Sequence, residues 1–419
     1  MPQAAPTWSS LAFLLITTAG KFALVNLGLV MPFAALLTWM ERRQSAYMQD
    51  RLGPTRAHFL SVRGRPLTLF GLVHVIADAT KMLFKETFVP KGADTTLFWL
   101  APAIGFVSSL AIMSFVPFAP AWHTGWSAPW DVIDGQMAQL DAGLLWVFGM
   151  ASLGIYGTAL AGWSSNNKFA MLGGLRASAQ IISYEIALGL TLVGMLLATG
   201  TTELSAMLSV QQGPALWGVV PRWGLFLQPL GAVLFFVAAM AETKRAPFDL
   251  PEGESEIIGY FLEYSSMGFG LFMLGEFVEV VVLAAMFTTL FLGGWTLPWV
   301  APGDGVWLGP IGLLPGSLGY SAFFFAVFAA KVLLVCALQL QIRWSLPRFR
   351  YDQLMHLGWK ILLPLALVNI VASAGLLAWD PSLTLMMQVG VGLWAALILY
   401  TIAGPTQAPP APVAAKGAT

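Results

Sequence analysis

The chain has 419 residues, 57% of them hydrophobic and 10% charged, with 21 lysines plus arginines against 21 acids. At a mean hydropathy of +0.74 it lies far from soluble domains, about a quarter of whose residues carry charge, and reads as an integral membrane protein. A net charge of zero leaves no electrostatic footprint for nucleic acid, and the one cysteine, Cys336, can make neither an internal disulfide nor an iron–sulfur site.

Residues 1 to 10 lack the basic start of a cleavable signal, so the first apolar run, Leu11 to Met40, predicts a retained transmembrane helix with Lys21 snorkelling from it. Further runs lie near 97–118, 142–163, 178–199, 223–241, 264–292, 318–341, 359–379 and 382–403. That makes nine spans, each long enough to cross about 30 Å of hydrocarbon. The expected fold is an all-α polytopic bundle, one membrane domain over 1–403 with a disordered tail at 404–419.

The segments 41–96, 164–176, 242–263, 342–360 and the tail hold 18 lysines and arginines, whereas the alternate loops hold Arg222 alone. By the positive-inside rule the N-terminus is expected outside and the C-terminus in the cytoplasm of a bacterial inner membrane. Within 41–96, Leu69, Leu72, Val73, Ile76, Met82 and Leu83 approximate helical spacing with Asp78, Lys81, Lys85 and Glu86 between them. An amphipathic helix at the membrane interface or against a partner protein is expected there.

On the run that follows residue 168, Arg176, Gln180 and Ser183 share a helical face, which suits interhelical bonding, and Glu185 sits at membrane depth. Arg343, Arg348 and Arg350 read as positive-inside anchors. The most unusual stretch is AETKRAPFDLPEGESEIIGYFLE, residues 241–263. It holds six of the 21 acids, where uniform spacing gives about one. Pro247 and Pro251 preclude a continuous helix, so irregular backbone must be buried in protein or line water. A helix running on from Glu252 would put Glu252, Glu256 and Glu263 on one face, within roughly 40°. Glu276 and Glu279 continue the acids into the bilayer, where a carboxylate costs about 2.5 to 3.5 kcal/mol and is therefore expected to work. The stretch reads as a proton-handling loop above an apolar cavity.

These residues, with ERR…MQDRLGP, IADATKMLFKE, GWSSNNKFAMLGGLRASAQIISYE and RWSLPRFRYDQL in this order, resemble the H-type subunit (mitochondrial subunit 1) of proton-pumping NADH:quinone oxidoreductase, respiratory complex I. The resemblance implies a subunit without a cofactor of its own that takes part in a translocase, forms a quinone-access channel and starts a carboxylate path. It implies FMN and iron–sulfur clusters in partner subunits, and as partners the other membrane-arm subunits and the peripheral-arm proteins of the quinone site. It assigns Glu41, Arg42, Arg51, Asp78 and Lys81, with Arg245, Asp249, Glu252, Glu254 and Glu256, to quinone binding and docking. It assigns Glu242, Glu185, Glu263 and Glu276 to the proton path, with Lys331 a further candidate. Lys244 departs from the family's pattern, as does Thr55, and the spacing from Glu256 to Glu263 is one residue short. A homologous subunit of a membrane-bound hydrogenase or other donor-linked dehydrogenase, or a free-standing ion transporter, is the alternative.

Overall fold

In the computed structural model, residues 8–58, 61–62, 65–66, 68–213, 216–251, 253, 259–298, 300, 305–308 and 311–403 are described. Among the described residues, eight helices are long and apolar enough to cross a membrane: α1 (Ala12–Met48), α3 (Thr95–Phe115), α4 (Gly143–Ser164), α5 (Lys168–Thr199), α7 (Ser266–Phe291), α8 (Leu318–Ser345), α9 (Tyr351–Trp379) and α10 (Thr384–Thr401). Two shorter helices matter for the site, α2 (Val73–Phe84) and α6 (Pro229–Glu242). Strands among the described residues are confined to short antiparallel pairs such as Val306–Leu308 with Ile311–Leu313. The protein is an all-helical polytopic membrane bundle.

The bundle is organised around α5 and α7. The most apolar window of α7 is 61% buried and that of α5 56%, against 17% for α10, which presents Leu393, Leu397 and Ile398 outward. Close helix packing depends on glycine. A Cβ on Gly157 would meet Gly105 N of α3 at 2.9 Å, and one on Gly162 would meet Ala170 O of α5 at 2.6 Å.

Two sequence expectations are corrected. The run 223–241 does not form one span: a single turn, Gly224–Leu227, breaks at Gln228, and α6 then runs only 14 residues, about 21 Å. Pro229 has no N–H to offer the preceding turn, and an apolar window cannot register such a break. The short helix is tied to α5 at both ends. Gln228 Nε2 donates to Gly194 O (3.3 Å), and Gln180 Nε2 donates to Ala241 O (2.7 Å). Because Gln180 lies about 18 Å along α5, α6 ends well inside the bundle. The first span also continues beyond Met40, so Glu41, Arg42 and Arg43 are still helical. Inside it, Ala23–Val30 widens into a π-turn around buried Asn26.

The segments rich in lysine and arginine converge at one end. There Asp94 N donates to Ser164 O, Gln44 contacts Gln341 and Arg348 pairs with Asp249, while Lys21, Gln136 and Gln211 tie the opposite end. The amphipathic helix is present as α2. It faces α7, with Ser266 Oγ donating to Met82 O (2.8 Å), and turns Ile76 and Leu83 outward.

Candidate functional site

The site begins where α6 stops. Glu242 closes the helix and is 4% exposed, and Lys244 then takes a left-handed backbone (φ 54°). The chain folds back beneath α5, where Gln180 Nε2 donates to Phe248 O (2.9 Å) as well as to Ala241 O. Phe248 stacks on Phe349 with ring centroids 5.5 Å apart, and Phe349 N donates to Pro247 O. Arg348 closes the turn on Asp249, with Nε 2.6 Å from Oδ1 and Nη2 donating to the backbone oxygen at 2.7 Å. Burial pushes the Asp249 carboxyl up from its ordinary value, opposed by Arg348 and Arg343. The irregular backbone is thus protein-buried, as the prolines require.

Three carboxylates gather where this turn meets α7. Glu242, Glu276 and Glu279 line an internal cavity of about 50 Å³ together with Lys244, Tyr260, and Ser108, Ser109 and Thr158 of the neighbouring helices. Tyr260 Oη donates to Glu276 Oε1 at 2.9 Å, and the Lys244 ammonium lies 5.4 Å from the Tyr260 ring centroid. Glu185 on α5 accepts from Ser152 Oγ and is within electrostatic reach of Glu242. At about 10–15 Å³ for one probe sphere, the cavity is large enough to hold water beside the polar groups that line it.

A second, open cavity of about 530 Å³ lies toward the basic end, bordered by Glu41, Arg42, Arg51, Arg245, Arg343 and the apolar side chains of Phe261, Phe269 and Met273. Arg245 Nη1 is 3.2 Å from Glu41 Oε2, its Nη2 is 3.9 Å from Glu276 Oε2, and its guanidinium covers the Phe277 ring at 3.9 Å. Arg343 binds the other Glu41 oxygen. Glu276 borders both cavities, so one carboxylate joins the cationic space to the acidic one.

Of the residues singled out in the sequence, Glu41, Arg42, Arg51 and Arg245 come together at the open cavity, and Glu185, Glu242 and Glu276 gather deeper. Asp78 pairs with Arg42 (2.6 Å), Lys81 is exposed on α2, and Asp249 is engaged by Arg348. Glu252, Glu254 and Glu256 lie outside the described residues. A helix running on from Glu252 does not reach Glu263: Gly259 has φ 112°, residues 260–265 are not helical and α7 starts at Ser266. Glu263 therefore precedes the helix that carries Glu276 and does not lie on it. It accepts from Asn167 Nδ2 at 2.6 Å, beside a separate surface depression at the N-terminus of α5. Lys331 donates to three backbone carbonyls beyond the end of α7.

Sequence reasoning misses two members. Arg343, read as an anchor, is the second cation on Glu41, a pairing across about 300 residues that no local pattern carries. Tyr260 reads as one more aromatic in an apolar run; only its place three residues before Glu263 and four after Glu256 marks it.

An all-helical bundle of long apolar helices with a buried carboxylate cluster joined by an arginine to a cationic cavity is a polytopic membrane protein with charged side chains packed among its helices. The sequence profile of the NADH dehydrogenase family matches residues 21–374. The chain is 41% identical over 359 residues to an NADH-quinone oxidoreductase H subunit of Geobacter metallireducens, covering 85% of this chain and 95% of that protein. It is 43% identical over 373 residues to the H subunit of Rickettsia rickettsii (88% and 96%), and 38% over 380 residues to that of Bdellovibrio bacteriovorus (86% and 96%). The chain belongs to the H-type subunit family of NADH-quinone oxidoreductase, subunit 1 of respiratory complex I.

Proposed function

We propose that this chain forms the quinone-access cavity of a proton-translocating NADH:quinone oxidoreductase and starts the carboxylate path that couples quinone reduction to pumping. It does so as a non-redox subunit, single-domain over 1–403, in a bacterial inner membrane with its basic end toward the cytoplasm. FMN and iron–sulfur clusters of partner subunits would supply electrons. The relatives' names favour NADH over a hydrogenase-type donor.

The observation that carries this reading is Glu276, shared by the two cavities. A quinone head among Arg42, Arg51 and Arg245 would gain two electrons and two protons to become quinol. Negative charge arriving there competes with Glu41 and Glu276 for Arg245, because one guanidinium cannot hold every anion equally. Weaker pairing of Arg245 with Glu276 passes the change of charge inward to Glu242 and Glu279, which line the same cavity as Glu276. Phe261, Phe269 and Met273 give the isoprenoid tail an apolar wall.

The test is Glu276→Gln in the assembled complex. NADH oxidation with ferricyanide, which bypasses the quinone, should be unchanged, while quinone-dependent oxidation and proton pumping collapse. Wild-type values for both would refute the assignment.

A further inference from the structure

We propose that Tyr260 is the proton-relay and positioning residue of Glu276, its phenol carrying protons between the water-sized cavity and that carboxylate. The inference rests on the proposed function and adds a residue to it. Four observations converge on the hydroxyl. It is bonded to Glu276 Oε1 at 2.9 Å; the side chain is 1% exposed; it lines the cavity shared by Glu242, Glu279 and Lys244; and its ring is clamped edge-on by Phe272 at 5.3 Å and Phe261 at 5.1 Å.

A phenol can accept one hydrogen bond while donating another, which neither Phe261 nor Phe272 can do. When Glu276 takes up a proton, Tyr260 gives its own and receives one from the cavity side, so the ring ends neutral and no charge is stranded. When Glu276 is ionised, the same O–H fixes which oxygen faces the cavity, leaving the other toward Arg245 at 3.9 Å. The charged groups facing Glu276 are Arg245 and Lys244 from the loop, Glu242 from α6 and Glu279 on its own helix.

Its position also ties the relay to the acidic segment. Tyr260 follows Gly259, whose φ of 112° is open to glycine but strained for other residues, and its backbone lies against α5 so closely that a Cβ on Gly173 would meet Tyr260 N at 2.7 Å. It stands four positions after Glu256 in the chain.

The experiment compares Tyr260→Phe with Glu276→Gln in the assembled complex. Phenylalanine keeps the ring packing and removes only the hydroxyl. With complex content and NADH:ferricyanide activity at wild-type level, Y260F should lower quinone-dependent turnover at least about a hundredfold, the low side of what a positioned proton-transfer group contributes. Its pH–rate profile should also differ from wild type, which the loss of a packing contact alone would not bring about. Wild-type turnover and profile in Y260F, with E276Q inactive, would overturn the relay and leave the proposed function standing. If both variants behave as wild type, the function itself falls. A loss in Y260F that only tracks the amount of complex, with an unmoved profile, would make Tyr260 structural and also overturn the relay.

Discussion

Arg245 and Glu276 stand 3.9 Å apart with the Phe277 ring beneath the guanidinium, and opposite charges meet there at the junction of the two cavities. Both side chains are nearly enclosed, at 12% and 5% exposure. Removing one member of a buried charged set leaves the others uncompensated, which costs about 3 to 5 kcal/mol. Arg245→Met should therefore lower the thermal midpoint of the assembled complex and abolish quinone reduction. Arg245→Lys should recover stability but little activity, because a compact ammonium cannot span Glu41 and Glu276 as a planar fork does. Full quinone reduction in the lysine variant would show that the bridging geometry is dispensable.

Gly173 tests the loop from the other side. A methyl there would approach Tyr260 N at 2.7 Å and Gly259 C at 2.8 Å, and these are backbone atoms with no rotamer to yield. Gly173→Ala should force residues 259–260 away from α5 at a cost of about 1 to 3 kcal/mol. The expected outcome is a lower quinone-dependent rate at normal ferricyanide activity, more severe for Gly173→Val. Wild-type kinetics in both variants would mean the loop has slack there.

How much can be read from the chain alone follows from the range of each signal. Length and hydropathy count nine spans, because a bilayer fixes the number of apolar residues needed, and among the described residues eight of them correspond to helices long and apolar enough to cross. The prolines correctly imply irregular backbone at 243–251. The break at Gln228–Pro229 falls inside a run whose mean hydropathy stays high, so hydropathy reads the short α6, which sets the depth of Glu242, as a full span. Carrying a helix on from Glu252 to Glu263 requires helical backbone up to 263, and residues 260–265 are not helical. The pairings of Arg343 with Glu41 and of Tyr260 with Glu276 are tertiary. No periodicity in the sequence contains them.

Asp380 offers a pH test outside the spans. In the turn between α9 and α10, its Oδ1 accepts Ser382 N at 2.9 Å and its Oδ2 accepts Leu385 N at 2.8 Å, in the first turn of α10. The Ser382 hydroxyl and these backbone N–H groups hold the carboxyl below its ordinary value of 3.8. A depressed folded-state pKa contributes stability that is present above 3.8 and is lost as pH falls through the lower, folded value. Asp380→Ala should thus be less heat-stable than wild type at neutral pH, and the gap should close in acid below 3.8. A gap that stays constant across that range would mean the carboxylate's charge is not what caps α10.

Lys331 separates a structural cation from a proton carrier. Its ammonium has three donors, and all three are used: Leu292 O at 2.7 Å, Gly294 O at 2.9 Å and Thr296 O at 2.6 Å, with the Trp223 ring 4.3 Å away. These carbonyls follow the C-terminus of α7, where the helix dipole favours a positive charge. The side chain therefore fastens the far end of the helix that carries Glu276 and Glu279. Lys331→Met would strip three carbonyls of their donor, each worth about 1 to 3 kcal/mol if left unsatisfied. The expected result is a lower thermal midpoint and less assembled complex, while the complex that does assemble pumps the wild-type number of protons per NADH. Normal assembly with pumping lost would instead put Lys331 on the proton path, since a cap has no reason to alter stoichiometry and leave stability intact.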